Sequence, residues 1–239
     1  MFEEITEEIS QEEKIDRWKE KRSGFITASP LKFLAPPRKG KFMFNAPAAP
    51  YLYGIKYELR TGIKLRHVDA RQFKWGHENE PRANQWLRDN VTGMYPLKSC
   101  SDDFEDIIIV SNPLVPNFKD SPDTYLYDLS GKLKAVIEIK CPVDQAKIES
   151  QFEVENIDDS HEDYPQLMGH FIGHPDVDEV WLVKYDAYVD DARYWKLFRK
   201  DHLAGIQEMT MQVLVAGSFI QKIKDGKDIC IADILKLKK

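Results

Sequence analysis

Cysteine is scarce in this chain of 239 residues, and its placement excludes two kinds of site. The three cysteines, Cys100, Cys141 and Cys230, are odd in number, far apart and form no C-x-x-C pair. The sequence therefore offers neither a zinc site nor a disulfide framework. Such usage fits reduced thiols and a cytosolic location. No apolar run approaches the ~20 residues that a bilayer span requires, so no membrane partner is expected. Met1 to Glu13 is rich in Glu and lacks the basic-then-apolar order of a signal peptide. Internal repeats and low-complexity segments are absent. His77, His161, His170 and His174 lack the spacing of a compact metal set and are read as structural.

What is present is a globular composition, 42% hydrophobic and 31% charged. The length suggests one domain with a core of ordinary size. The net charge of -6 argues against nucleic acid until it is divided along the chain. Lys14 to Lys74 holds fifteen Lys or Arg against four acids (Asp16, Glu20, Glu58 and Asp69), a net +11, which leaves -17 for the remainder. A basic segment on an acidic body suits local phosphate contacts, although a solvated basic face would look the same.

Met1 to Lys21 places Ile5, Ile9, Ile15 and Trp18 among charges, as in one or two short amphipathic helices. Ser29-Pro30 reads as an N-cap followed by the first helical residue. Ala35 to Pro50, with five Pro or Gly among Arg38, Lys39 and Lys41, reads as a basic loop. Phe73 to Asn90 reads as a helix, in which Pro81 marks a start or a kink. Asp106 to Val110, Tyr125 to Leu129 and Lys134 to Lys140 read as strands, the last two forming a hairpin around Ser130-Gly131. Pro142 stops the second of these, because it cannot donate to the ladder. Val143 to Glu153 and His161 to Gly173 read as helices, Glu179 to Tyr185 and Arg193 to Phe198 as strands, and Asp201 to Lys224 as a long helix. The order predicts an α/β or α+β fold with a central mixed sheet flanked by helices.

The hairpin carries the chemistry. Asp123 precedes one strand and Glu138 lies in the next, so antiparallel pairing would bring both carboxylates to one end of the sheet. Strand alternation puts Val136, Glu138 and Lys140 on one face and Ile137 and Ile139 on the other. Charges inside a run of Ala, Val and Ile are costly to bury without partners, and a hard cation bound by carboxylates relieves that cost. Mg²⁺ uses such ligands with substrate phosphate, and a neighbouring Lys can hold or deprotonate the attacking water. An edge hairpin with a surface Glu-Lys face is the plainer reading of E-x-K alone. Glu80, in Trp75-Gly76-His77-Glu78-Asn79-Glu80-Pro81, is a second source of carboxylate.

Five pieces, in order, resemble one family: Arg22-Ser23-Gly24-Phe25-Ile26-Thr27-Ala28-Ser29, Trp75-Gly76 with Glu80, Ser121-Pro122-Asp123, Glu138-Ile139-Lys140-Cys141-Pro142, and Tyr164-Pro165-Gln166. Over roughly Asp16 to Tyr185 the chain resembles the phage-type recombination exonucleases, the YqaJ-like branch of the PD-(D/E)xK nucleases to which lambda exonuclease belongs. The resemblance implies a restriction-endonuclease-like core and a single nuclease domain over 1–239. Its parts would be an N-terminal helical segment (1–21), the family-like core (22–185) and a C-terminal strand and helix (186–239). It further implies a Mg²⁺-dependent 5′→3′ exonuclease that leaves 3′ single-stranded tails for recombination. Two Mg²⁺ ions, with Mn²⁺ as a substitute, would sit on Asp123, Glu138, the Ile139 carbonyl and Glu80. Lys140 would position or activate water, and Gln166 would support the site. Arg22, Ser29 and Ser121 match positions that bind the terminal 5′-phosphate, and Phe73 matches an apolar wedge at the duplex end. Implied partners are double-stranded DNA ends, two further copies in a homotrimer and a single-strand annealing protein. Such a chain would be phage or prophage encoded and act in the cytoplasm of a bacterial host. The family's Tyr three residues before the Gln, and its second Gln two after, are not matched: Tyr164 is two before Gln166, and Met168 stands two after. An endonuclease with the same metal site and a silent DNA-binding module are the alternatives.

Overall fold

A computed structural model describes residues 11–37, 41–63, 70–99 and 109–238, with the side chains at 11, 12, 14, 15, 70 and 73 left undescribed. Five strands form one mixed sheet: β2 (Leu97–Ser99), β4 (Thr124–Tyr127), β5 (Leu133–Lys140), β6 (Glu179–Asp186) and β7 (Asp191–Phe198), in the order β2-β4-β5-β6-β7. Two shorter strands, β1 (Ile26–Thr27) and β3 (Phe118–Lys119), pair in parallel beside it. The helices are α1 (Gln11–Arg22), α2 (Ala48–Thr61), α3 (Ala70–Leu87), α4 (Gln145–Phe152), α5 (Tyr164–Gly173) and α6 (Leu203–Lys224). This is the mixed, helix-flanked sheet that the element order predicts.

The expected hairpin is β4–β5, antiparallel with Thr124 opposite Ile137 and Tyr125 opposite Val136. Its turn is fixed by Asp128, whose Oδ1 accepts from the amides of Ser130 and Lys132 at 2.8 and 2.9 Å. The hairpin is not at an edge. β5 pairs on its other side with β6 in parallel, so Ala135 to Ile139 are buried, as a strand between two neighbours requires. A parallel neighbour needs a crossover, and α4 and α5 make it.

Alternation along the strands splits the core into two layers. On one face, Ala83 and Leu87 of α3 pack with Leu126, Ile137, Ile139 and Trp181. On the other, Val136, Val180 and Leu182 meet apolar residues of α2, α5 and α6. Helix α6 is long and apolar enough to cross a membrane by length and composition, but Ile206, Met209, Val213, Ala216 and Ile220 are buried in this second layer.

Several local expectations are corrected. Ser29 is the first residue of a 3₁₀ turn, Ser29–Phe33, that follows Ala28 in the αR region; it is not an N-cap. The Ala35–Pro50 loop ends early, because α2 starts at Ala48. Pro50 is tolerated in its first turn, where amides have no intrahelical partner. Pro81 lies inside α3 and does not begin it. After α3 the chain closes with a π-helical turn, Arg88–Thr92. Of the strand expected at Asp106 to Val110, positions 106–108 lie outside the described residues, and Val110 makes a single bridge to Asp120.

Candidate active site

The register that puts Thr124 opposite Ile137 leaves Asp123 beside Glu138, at the end of the hairpin away from its turn. Asp123 Oδ2 accepts the Ile139 amide at 2.7 Å, which ties the carboxylate to the next strand. Glu138 is buried on the α5 face, the side opposite Ile137 and Ile139. Lys140 Nζ donates to Glu138 Oε1 at 2.6 Å and to Gln166 Oε1 at 3.0 Å. Gln166 Nε2 in turn donates to Ser29 Oγ at 3.4 Å. Gln166 thus joins β5 to the 3₁₀ turn.

Glu80 arrives from the other layer. Thr124 donates to Asn84 Oδ1 at 2.8 Å, and Asn84 donates to Ser99 Oγ at 3.1 Å, which fastens α3 to β4 and β2. Glu80 lies one turn before Asn84 and so extends the same helix face toward Asp123. Burial pushes the Glu80 carboxyl up to about 7, with the Glu138 charge adding to it. Burial, then the charges of Glu138 and Glu80, hold Asp123 well above the usual carboxylate range. For Glu138 burial acts upward too, but Lys140 and His170 outweigh it and hold the group at about 2. Burial would lower Lys140, yet Glu138, Asp163 and Asp123 outweigh it and raise the ammonium above its ordinary range.

Sequence reasoning missed two members of this cluster. His170 Nδ1 lies 3.0 Å from both oxygens of Asp120, and its Nε2 lies 2.9 Å from Glu138 Oε2. Burial would keep the imidazole neutral, but the two carboxylates overcome it and raise His170 to about 10. Asp120 is held below its ordinary range by His170 and His174 against the effect of burial. The available signal was positional: Asp120 directly precedes Ser121-Pro122-Asp123, and His170 is one helical turn after Gln166. A further ion pair backs the cluster, between Lys184, in register with Lys140 on β6, and Asp163 before α5.

The residues assigned to the 5′-phosphate are partly gathered. Arg22 Nη1 donates to Ser121 Oγ at 3.2 Å and Nη2 to Thr27 Oγ1 at 2.9 Å, with the guanidinium 4.0 Å from the Trp18 ring centre. Ser29 meets Gln166 instead of Arg22. The Phe73 side chain lies outside the described residues. Tyr164 contacts His202 at 3.2 Å and Gly205, on α6 and the turn before it.

Asp123, Glu138, Glu80 and the Ile139 carbonyl present only oxygen, the donor set of a hard divalent cation. Burial, and after it the neighbouring carboxylates, raise Asp123 and Glu80, and a bound cation would oppose both effects. No three His, Cys, Asp or Glu side chains among the described residues enclose an ion as they stand. Mg²⁺ commonly takes one or two carboxylates and keeps several waters, so the donors fit without such a cage. Cys141 is no ligand candidate, since burial and the charges of Glu80 and Asp123 push its thiol up.

No family model and no curated protein matches the chain. Its fold is similar to that of an alkaline exonuclease (LHK-Exo) from Laribacter hongkongensis, with a TM-score of 0.65 and 19% identity over 88% of this chain and 97% of that one. The LHK-Exo structure in complex with dAMP gives 0.65 at 18% identity, with the same coverage. A phage related exonuclease from Haemophilus somnus 129PT gives 0.56 at 16% identity, over 85% and 96% of the two chains. At these identities the likeness establishes a shared fold.

Proposed function

We propose that the chain is a Mg²⁺-dependent nuclease that digests one strand of linear duplex DNA from its 5′ end, leaving a 3′ single-stranded tail. The observation that carries this reading is the hairpin register, which sets Asp123 beside Glu138 and Lys140 where Glu80 approaches from α3. Exonucleases of the same fold support it, and dAMP, present in one of those structures, belongs to the deoxynucleoside monophosphates expected as product. Asp123, Glu138, Glu80 and the Ile139 carbonyl would hold the metal. Bound there, it would polarise the scissile phosphate and lower the pKa of an attacking water. Lys140, held as an ammonium by Glu138 and Gln166, would neutralise charge on the phosphate and orient the water. Arg22 and Ser121 would receive the terminal 5′-phosphate, with the guanidinium as the planar, permanently charged partner.

Strand-specific end-labelled duplexes incubated with Mg²⁺ test the reading. Loss of label from 5′ ends as mononucleotides, a surviving complementary strand and an intact closed circle are expected. Asp123→Ala and Lys140→Ala should abolish digestion while DNA binding persists. Linearised circles would instead identify an endonuclease, and unchanged digestion by both variants would remove these residues from the site.

A further inference from the structure

Two lysines outside the basic stretch meet on one aromatic ring. Lys119, the last residue of β3, and Lys224, the last of α6, place their Nζ atoms 3.8 and 3.9 Å from the ring centre of Phe25. The two cations therefore lie within a Debye length, about 8–10 Å, of one another. Their hydrogen-bond partners are neutral: Lys119 donates to the Lys21 carbonyl and Lys224 to Asn117 Oδ1, the latter at 2.7 Å. Burial lowers the pKa of both, and the Lys119 charge lowers Lys224 further, while no described carboxylate opposes either effect.

This crowding is built into the fold. Asn117 is buried and holds a left-handed backbone, φ 67°, that an L side chain rarely adopts. Its Nδ2 donates to the Gly217 carbonyl on α6 at 3.2 Å, and its own carbonyl accepts the Ile26 amide at 2.9 Å. Asn117 thus locks the end of α6 to the β1–β3 pair and presents its amide oxygen to Lys224. Like charges held together on neutral partners favour an anion that both can share. The position points to which anion: Lys21 directly precedes Arg22, and Lys119 is two residues before Ser121, so the patch adjoins the Arg22–Ser121 pair.

We propose that Lys119 and Lys224, seated on Phe25, form a second phosphate subsite that takes a backbone phosphodiester of the DNA strand held at Arg22 and Ser121. The proposal rests on the reading of the chain as a DNA nuclease. A purely structural Lys119, capping the C-terminus of α1, would affect stability alone.

Binding of a labelled duplex is followed by fluorescence anisotropy in EDTA, as a function of salt concentration. Lys119→Met and Lys224→Met keep the aliphatic stems on the ring and remove the charges. Each should reduce the slope of log affinity against log salt by about 1, and the pair together by about 2. Lys119→Arg and Lys224→Arg should keep the wild-type slope, as should Lys132→Ala in the hairpin turn. Wild-type slopes in both folded Met variants would overturn the subsite, as would an equal effect of Lys132→Ala. A wild type that binds no duplex would take the nuclease reading down with it; binding with unchanged slopes sinks the subsite alone.

Discussion

His170 shows how a single side chain sets the charge state of the cluster. Each ring nitrogen faces a carboxylate, so both must donate, and the imidazole is protonated well beyond neutral pH. Its folded pKa of about 10 lies above the ordinary value of about 6.5, so its stabilisation is complete below about 6.5 and is lost as pH rises through 10. Asp120 and Glu138 have the opposite sign: both are depressed, so they contribute above the ordinary carboxylate range and lose that contribution as pH falls through their folded values. The cluster is therefore strongest in mildly acidic solution. We expect the thermal midpoint in EDTA to fall steadily from pH 6.5 to 10, by the equivalent of a few kcal/mol at about 1.4 per pKa unit. His170→Gln should start lower and keep only the part of this slope that the raised Glu80 and Asp123 carboxyls contribute. A wild-type midpoint that is flat over the same range would mean that His170 is not a cation between Asp120 and Glu138.

Among the elements, α5 decides whether the site closes. It approaches the Ala28–Leu31 segment so nearly that a Cβ on Gly169 would lie 2.6 Å from Leu31 Cδ1 and 3.1 Å from Ala28 Cα. Gly169→Ala must lift the helix or deform that backbone, which should cost about 1–3 kcal/mol in denaturant unfolding. It should also weaken the Gln166–Ser29 contact, already 3.4 Å. Gly76 makes the opposite case: it is helical and a Cβ there meets nothing within 4 Å, so Gly76→Ala should raise stability by up to about 1 kcal/mol. Equal stabilities for the two variants would refute the packing account. The same contrast explains what was legible in the sequence. The hairpin, α3 and α6 carry local periodicity and turn chemistry; strand alternation puts Glu138 and Lys140 on one face, and hairpin pairing adds Asp123 beside them. The β1–β3 pair has two residues a side and joins segments about ninety positions apart, so no local pattern announces it. His170 and Asp120 meet across a close approach of α5 to the residue after β3, which Gly173 permits: a Cβ there would lie 2.5 Å from Asp120 Cβ. Ser29 was misplaced for a related reason. Ser-Pro fits an N-cap chemically, but packing against α5 holds Ala28 already in the αR region and moves the start of the turn by one residue.

At the scale of the molecule the charges are divided between binding and chemistry. The net charge of -6 conceals a stretch of +11 whose described Lys and Arg are mostly exposed, whereas Glu138 and His170 of the cluster are buried. Salt screens exposed charges beyond about 8–10 Å and reaches buried pairs much less. Counterion release from DNA adds a steep dependence wherever exposed Lys and Arg contact phosphates. On the proposed function, the two regions should therefore respond differently in one experiment. Raising KCl from about 50 to 200 mM should lower kcat/KM on linear duplex about tenfold or more, as two or three phosphate contacts require. The value of kcat at saturating DNA should change by less than about twofold, because the residues beside the scissile bond are shielded from salt. Arg22→Lys keeps the charge and loses the paired donors that reach Ser121 and Thr27, so it should keep the salt slope while losing the preference for a phosphorylated 5′ end. Rates measured on phosphorylated and unphosphorylated duplexes at each salt concentration separate the two effects. A kcat that falls in parallel with kcat/KM would place the screened charges in the chemical step and contradict this division.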